Sequence, residues 1–528
     1  MNNPAHPIPF RRHALVLALA LAVTASHAQT IAVKEGCTLR NAIINANTDT
    51  DTDGASGCLA GSGADTLNLK ANSTYTFSQT DNNTDGNNAL PSITSVITIN
   101  GNNAVLQRST APDTPAMRLL HVGSTGNLTL NRLQVTGGKA PAYYNYHRGG
   151  GIYNRGTVSL NNSTITDNRA GNDGGGIHNL GNLTVNNSLV SGNRAGANGG
   201  GIASLGKLTL TDSHISANHA VDGSALWNKD STMTLTNSTV SGNTASNGAA
   251  VSNAGGGYFY GCYGRASLLN STVSGNKGMG IQNQQINSTK HYNYYDGGGG
   301  YYIQERCQLT LVNSTLTNNS GSGADNHGVL ILGNSLLAAN TGDCANHAEV
   351  FASNGTNFIG DKTCNAQLSG NPKLGPLLDN GGPTPTQALL AGSPANNKAT
   401  EIFCPKTDQR HINRQLAVNQ ACDIGAYQRL TFLPASTSGL LQFFDNQASI
   451  NALIGITPAK QDAVRRQVLV AGEYQDRHQN AAACGQLHKT LTYIDTDGTP
   501  EQNDYITGSA AATFAQNITA LRTAWQCR

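Results

Sequence analysis

The sequence predicts an all-β chain, a right-handed parallel β-helix followed by a small α-helical domain. Serine–asparagine pairs recur at steps of 25 residues, at Ser163/Asn168, Ser188/Asn193 and Ser213/Asn218. Between them, short runs alternate apolar and polar residues and end at glycine or asparagine, as strands bounded by turns do. Because these runs are too short for helical hairpins, the period indicates a solenoid with one repeat per coil.

Three apolar columns accompany the period and are expected to fill the interior, since equivalent residues of adjacent coils stack about 4.8 Å apart. They are Ile152, Ile177, Ile202, Leu226 and Val251; Leu160, Val185, Leu210, Leu235, Leu268 and Leu311; and Ile165, Val190, Ile215, Val240, Val273 and Leu316. The asparagines at 168, 193, 218, 243 and 276 are predicted to form a ladder of side-chain amides. Charged residues make up only 12% of the chain, which suits a stack in which like charges would repel.

The first residues predict export. Arg11 and Arg12 precede the apolar run "ALVLALALAV" at 14–23, and small residues follow at Ser26 and Ala28, as in a secretory signal peptide. We expect a secreted or surface-exposed protein, or a periplasmic one, with no transmembrane segment in the mature chain. Lys+Arg (33) nearly balance Asp+Glu (31), which disfavours nucleic acid as a partner.

Ten cysteines in an exported chain predict disulfides. Spacing alone leaves their connectivity open, and pairing of neighbours is the working hypothesis. The pairs would be Cys37–Cys58, Cys262–Cys307, Cys344–Cys364, Cys404–Cys422 and Cys484–Cys527.

The two ends of the predicted β-helix resemble known exported proteins. "CTLRNAIINAN" (37–47) resembles the N-terminal CSLREA motif of exported bacterial β-helix proteins. "NPKLGPLLDNGGPTPTQALLAGSPA" (371–395), "DQR" (408–410) and "CDIGAYQ" (422–428) resemble the choice-of-anchor Q domain. The repeats are also similar to those of polymorphic outer-membrane proteins. The resemblance covers most of residues 35–428 and implies export and a pectate-lyase-like superhelix, but no single activity.

These observations divide the chain into five parts. They are a signal peptide at 1–28, an N-terminal cap with the first coils at 29–115, the β-helix with tyrosine-rich insertions at 116–375, an anchor-Q-like closing segment at 376–430, and a helical domain at 431–528. In the last part, Thr457 is a predicted helix N-cap ahead of Pro458, and a second helix is expected to follow Ser509.

Three insertions rich in tyrosine interrupt the coils and predict a ligand-binding flank. Tyrosine supplies rigid, amphipathic surface that suits sugar rings. The second and third insertions follow Asn253 and Asn283, the same point of two coils, so they should be spatial neighbours. A column expected to point outward, containing Tyr153, His178 and Trp227, runs beside them. The tyrosines of the insertions are Tyr143, Tyr144, Tyr146, Tyr258, Tyr260, Tyr263, Tyr292, Tyr294, Tyr295, Tyr301 and Tyr302. The alternative is that these loops only pack on the coil and on one another.

Candidate catalytic residues are His178 beside Asp173, and Asp296 with Glu305 in the third insertion, because glycoside cleavage needs paired acid and base groups. Column alignment yields no converging carboxylate pair. Asp49, Asp51 and Asp53 resemble the start of a calcium-binding loop, but Ala60 stands where the bidentate glutamate belongs. A polar loop is the favoured interpretation, so no cofactor is predicted, and calcium is the alternative.

Three functional hypotheses remain open. The leading one is a non-catalytic, adhesin-like protein that binds a polysaccharide or cell-surface glycan through the tyrosine-rich flank. The second is a polysaccharide lyase or glycoside hydrolase with its cleft at the same loops. The third is a structural stalk whose C-terminal domain is the interaction module.

Overall fold

The N-terminal part of the structure closes the first coils with a helix. The computed structural model describes residues 28–51, 57–140, 148–255, 262–284, 306–348, 351–390, 392–414, 421–429, 437–449, 453–455, 457–477, 479–495, 504–508 and 510–527. The predicted signal peptide therefore lies, up to residue 27, outside the described residues. Helix α1 (Leu39–Thr48) begins after Thr38, whose Oγ1 accepts a hydrogen bond from the backbone N–H of Asn41. Its buried face, which includes Ile43, packs on the first strands. These strands are β1 (Thr30–Ala32), β2 (Asp65–Asn68), β3 (Thr74–Phe77), β4 (Val96–Arg108), β5 (Leu120–Val122) and β6 (Asn127–Thr136).

The predicted parallel β-helix is confirmed. Among the described residues the coils form two long sheets, of 21 and 13 strands, and the paired strands of both run parallel. The strands that continue the coils are β7 (Lys139–Ala140), β8 (Ile152–Asn154), β9 (Thr157–Asn161), β10 (Thr164–Thr166), β11 (Arg169–Ala170), β12 (Ile177–Asn179), β13 (Asn182–Asn186), β14 (Leu189–Ser191), β15 (Arg194–Ala195), β16 (Ile202–Ser204), β17 (Lys207–Thr211), β18 (His214–Ser216), β19 (His219–Ala220), β20 (Leu226–Lys229), β21 (Thr232–Thr236), β22 (Thr239–Ser241), β23 (Thr244–Ala254), β24 (Arg265–Leu269), β25 (Thr272–Ser274), β26 (Lys277–Asn283), β27 (Gln308–Val312), β28 (Thr315–Thr317), β29 (Ser322–Asn326), β30 (Val329–Gly333), β31 (Leu336–Ala338), β32 (Gly342–Asn346), β33 (Phe351–Asn354) and β34 (Phe358–Ile359).

The register of the coils matches the period of the sequence. Ile177 pairs with Ile202, and Val185 with Leu210, each one coil further on. All members of the three predicted apolar columns are buried, so the columns form the interior. Glycine is required where coils approach most closely: a Cβ on Gly175 would lie 2.4 Å from the carbonyl oxygen of Gly200.

The asparagine ladder is also present, and it is buried. Asn218 Nδ2 donates to Asn243 Oδ1 at 3.0 Å and to the Val190 carbonyl at 2.9 Å. Its own Oδ1 accepts from the backbone N–H and the Nδ2 of Asn193. The same pattern joins the other members, and it extends past Asn276 to Asn319 and Asn340. Each amide therefore satisfies polar groups in a turn that water does not reach.

The closing segment lies along the side of the coils. It contains β35 (Leu374–Leu378), β36 (Thr386–Leu389) and a 3-10 helix (Glu401–Phe403). Buried Gln409 accepts a hydrogen bond from Thr272 Oγ1 at 2.6 Å and donates to Thr239 Oγ1 at 2.7 Å, which joins it to β25 and β22. Arg410 forms a buried ion pair with Asp408 at 2.8 Å. The "DQR" residues thus fasten this segment to the outer face of the coils.

The C-terminal part is helical, as predicted. It comprises α2 (Thr437–Ser449), β37 (Ile454–Gly455), α3 (Pro458–Asp476), α4 (Asn480–Leu491), β38 (Ile506–Thr507) and α5 (Ala511–Ala524). Thr457 caps α3, and its Oγ1 accepts from the Lys460 N–H at 3.2 Å. Phe444 and Phe514 pack in its separate core, with ring centroids 5.2 Å apart. No helix among the described residues combines the length and apolar character needed to cross a membrane.

All five predicted disulfides are formed as neighbour pairs: Cys37–Cys58, Cys262–Cys307, Cys344–Cys364, Cys404–Cys422 and Cys484–Cys527. Cys262–Cys307 joins the segments that border the second and third insertions. These insertions leave the coils at Asn253 and Asn283, which are paired in register, so the predicted proximity of their bases is confirmed.

The ladder leads to a stability prediction. Replacing Asn218 by alanine removes four buried hydrogen bonds, two of them from groups that keep another partner, and should lower the free energy of unfolding by about 3 kcal/mol. The matched control is Asn186→Ala, whose half-buried amide makes one ladder bond, to Asn161 at 3.1 Å, and it should lose less than about 1 kcal/mol. Urea unfolding followed by circular dichroism measures the free energy of unfolding of both variants. Equal losses would contradict the prediction that the buried ladder contributes more to stability than the half-buried amides.

Candidate functional site

One column of side chains follows the flank on which the insertions open. It runs through the short strands of the 13-stranded sheet, and we call it the flank column. Its members, in register, are His121, Tyr153, His178, Ala203, Trp227, Ser252, Gln282 and Asp325. Sequence analysis placed most of these residues in one column and expected it to point outward.

The first half of the column is buried, contrary to that expectation. Tyr153 is 8% exposed and His178 is 0% exposed. Their rings lie 5.2 Å apart, and the guanidinium of buried Arg118 lies 4.7 Å from the Tyr153 ring centroid. The cover comes from neighbouring loops, since a Cβ on Gly149 would lie 3.2 Å from that of His178. This part of the column therefore presents almost no surface to a ligand.

The surroundings of His178 are those of a neutral imidazole. Burial, with lesser contributions from Arg148 and Arg118, lowers its pKa from 6.5 to about 3. Neither ring nitrogen has a hydrogen-bond partner among the described residues. Asp173, its predicted partner, instead forms an ion pair with Arg148 at 3.2 Å and accepts a hydrogen bond from Asn198. The structure thus does not bring His178 and Asp173 together as an acid–base pair.

The burial of His178 predicts that the folded protein loses stability in acid. Because its pKa is lower in the folded state, the unfolded chain takes up the proton first, and stability is lost as the pH falls below 6.5 toward 3. The loss should approach about 1.4 kcal/mol per pH unit, or about 3 kcal/mol by pH 4. His178→Phe keeps an aromatic ring without a proton site, so this part of the pH dependence should disappear.

The measurement is urea unfolding of both proteins from pH 7 to pH 4. His411→Gln serves as the control, because His411 is exposed and paired with Asp212 at 2.9 Å. The wild type and His178→Phe contain the same carboxylates, so the difference between these two proteins isolates His178. A difference that stays constant over this pH range would contradict the prediction.

In the second half of the column, the side chains of Trp227 and Gln282 are partly exposed to solvent, whereas Ser252 and Asp325 are buried. The Trp227 side chain is half-buried, and the Lys229 amine lies 6.0 Å from its ring centroid. An acidic residue lies on each side along the chain. Asp222 precedes it and accepts hydrogen bonds from Ser252 Oγ at 2.8 Å and Gln284 Nε2 at 2.9 Å; Asp230 follows it.

Both neighbouring insertions open beside this tryptophan. The backbone N–H of Tyr263, which is 49% exposed and borders the second insertion, donates to Asp230 at 3.3 Å. Gln284, which borders the third insertion, contacts Asp222, and its carbonyl lies 3.8 Å from the Cys262 sulfur. A half-buried tryptophan, two carboxylates and two amides therefore lie along one part of the flank, and Tyr263 is bonded to it through Asp230. We call this region the Trp227 patch.

Several predicted site residues lie outside the described residues. They are Tyr143, Tyr144, Tyr146, Tyr258, Tyr260, Tyr292, Tyr294, Tyr295, Tyr301 and Tyr302, the candidate catalytic Asp296 and Glu305, and the candidate calcium ligand Asp53. Their roles stay predictions. Of the other calcium candidates, Asp49 accepts a hydrogen bond from the Gly63 N–H at 2.9 Å, and Asp51 is exposed.

A cluster that sequence analysis missed ends the flank column. Asp325 lies beside His327 and His347, and these three can offer metal ligands. Asp325 is linked to the patch, since Gln282 Nε2 donates to it and Gln282 Oε1 accepts from Gln284. The available signal was the dipeptide Asn-His, repeated at 326–327 and 346–347 one coil apart.

Comparison with known proteins finds a likeness in fold. No family model matches the sequence, and no curated protein matches it. Among solved structures the chain is similar to pectate lyase Pel9A, at 16% identity and a TM-score of 0.44, over 69% of this chain and 88% of that one.

Proposed function

We propose that this protein is an exported β-helix protein that binds a polysaccharide at the Trp227 patch and does not cleave it. The observation that carries the proposal is that exposed Tyr263 is bonded through its backbone N–H to Asp230, three residues after half-buried Trp227, where two tyrosine-rich insertions leave the coils. Exposed aromatic surface on a folded chain marks an interaction site. The five disulfides and the signal-like N-terminus support an extracellular, cell-surface or periplasmic location.

The patch has the chemistry that sugar recognition needs. Aromatic rings offer apolar faces to the C–H surface of a sugar ring, and carboxylates and amides accept and donate hydrogen bonds to its hydroxyl groups. Asp222, Gln282 and Gln284 already form a connected set, so their orientations are defined before a ligand arrives. Lys229 beside the tryptophan adds a positive charge that suits an acidic polysaccharide.

The resemblance of the two ends of the β-helix to the CSLREA and choice-of-anchor Q proteins supports one part of this proposal, an exported β-helix protein. In the structure, the "CTLRNAIINAN" segment forms the capping helix α1, and the "DQR" segment fastens the closing segment to the coils. Both segments thus complete the solenoid and leave its flank free for binding. Membership of that family is part of the proposal.

The deciding experiment screens the purified mature protein against neutral and acidic polysaccharides by affinity electrophoresis. The same samples are assayed for new reducing ends and for the absorbance of unsaturated products. Retention without product supports the proposal. Product from any polymer would make the protein a lyase or hydrolase, and absence of retention on every polymer would favour the stalk hypothesis.

A substitution locates the binding surface. Tyr263→Ala removes an exposed ring, so folding should be unaffected while retention falls about tenfold, which corresponds to roughly 1.4 kcal/mol of stacking energy. The control is Ile402→Ala, which removes another exposed large apolar side chain, on the closing segment, and it should keep full retention. Equal retention in the wild type and Tyr263→Ala would place binding elsewhere.

A further inference from the structure

The coil register brings two histidines and one aspartate together at the C-terminal end of the flank column. Asn326 of β29 pairs with Asn346 of β32, so the residues that follow them, His327 and His347, occupy the same position in adjacent coils. Asp325 lies two residues before His327, and alternate residues of a strand share a face. The next coil has Ala345 opposite Asp325, a small side chain that leaves the carboxylate uncrowded.

The distances among these groups match those between ligands of one metal ion. His327 Nε2 lies 3.5 Å from Asp325 Oδ2, and His347 Nε2 lies 3.2 Å from Oδ1. All three ligand atoms lie within 4.8 Å of one another. A tetrahedral zinc ion with bonds of about 2.1 Å holds its ligand atoms about 3.4 Å apart, which is close to both distances.

The surroundings hold the ligands in place. Gln282 Nε2 donates to Asp325 Oδ2 at 3.0 Å, a contact of the kind that orients metal-binding carboxylates. The backbone N–H groups of both histidines are bonded to the preceding coil, at Asn283 and Asn326. The two imidazole rings stack with centroids 4.5 Å apart, so adjacent coils hold them side by side. A divalent cation binds both rings in their neutral form.

We propose that Asp325, His327 and His347 bind a divalent transition metal, for which zinc is the best match. Two imidazole nitrogens and one carboxylate oxygen suit zinc and its neighbours and disfavour calcium and magnesium, which take oxygen ligands. The side chains of His327 and His347 are 42% and 55% exposed, so a fourth position faces solvent. This proposal does not rest on polysaccharide binding at the Trp227 patch, although Gln282 contacts groups of both.

Cobalt(II) tests the proposal, since a tetrahedral cobalt site absorbs strongly in visible light. The untagged mature protein, stripped with a chelator, is titrated with Co²⁺, and bound Co²⁺ is then displaced with Zn²⁺. We expect one equivalent to bind with a tetrahedral spectrum. We expect affinity to fall at least tenfold in His347→Gln and in Asp325→Asn. His347 is exposed, so its replacement should leave thermal unfolding of the metal-free protein unchanged.

The matched control is His411→Gln, because His411 and Asp212 form a histidine–aspartate pair that belongs to no three-ligand cluster among the described residues. It should bind Co²⁺ like the wild type. Absence of a tetrahedral spectrum in the wild type would overturn the proposal. Undiminished affinity in both His347→Gln and Asp325→Asn, or equal loss in His411→Gln, would overturn it as well.

Discussion

The hydrogen bonding of one buried amide per coil sets the geometry on which the rest of this molecule depends. Each ladder asparagine accepts from the preceding coil and donates to the next amide, so the bonds continue only when successive coils stay in register. The residues joined are 25 apart between Asn218 and Asn243, 33 apart between Asn243 and Asn276, and 43 apart between Asn276 and Asn319. The extra residues of the longer coils therefore lie outside this register. The insertions at the flank are a consequence of keeping this register.

The same register decides what stands next to what along the flank. It stacks His121, Tyr153 and His178 at one end and Trp227, Ser252 and Gln282 further along. The difference between the halves comes from what covers them. At the N-terminal end, buried Arg118 and glycine-bordered loops close over the rings and leave a neutral histidine. Around Trp227 the coil borders the insertions, and aromatic and polar groups reach the surface.

A solenoid also builds clusters from residues far apart in sequence without any long-range folding event. His327 and His347 are separated by 20 residues, yet they become stacked neighbours because they occupy the same position in adjacent coils. The aspartate on the same strand then completes a set of metal ligands. Likewise, Asp222 and Gln284 meet because both border the flank column, and this links the patch to the metal cluster through Gln282.

The sequence by itself determined the repeat, the apolar columns, the asparagine ladder and the helical end, because each leaves a periodic or local signal. It also placed the bases of two insertions together, since Asn253 and Asn283 occupy equivalent positions. It left the connectivity of the ten cysteines open, and the structure confirms the hypothesis of neighbour pairs. Tertiary structure alone decided which members of the flank column are exposed. Strand alternation separates inward from outward side chains, but it carries no information about loops that fold over an outward face. For that reason His178 and Trp227, two coils apart in one column, have opposite environments. Sequence analysis missed the histidine–aspartate cluster for a related reason. Asp325 and His327 lie in one coil and His347 lies in the next, so the three become neighbours only when the coils stack.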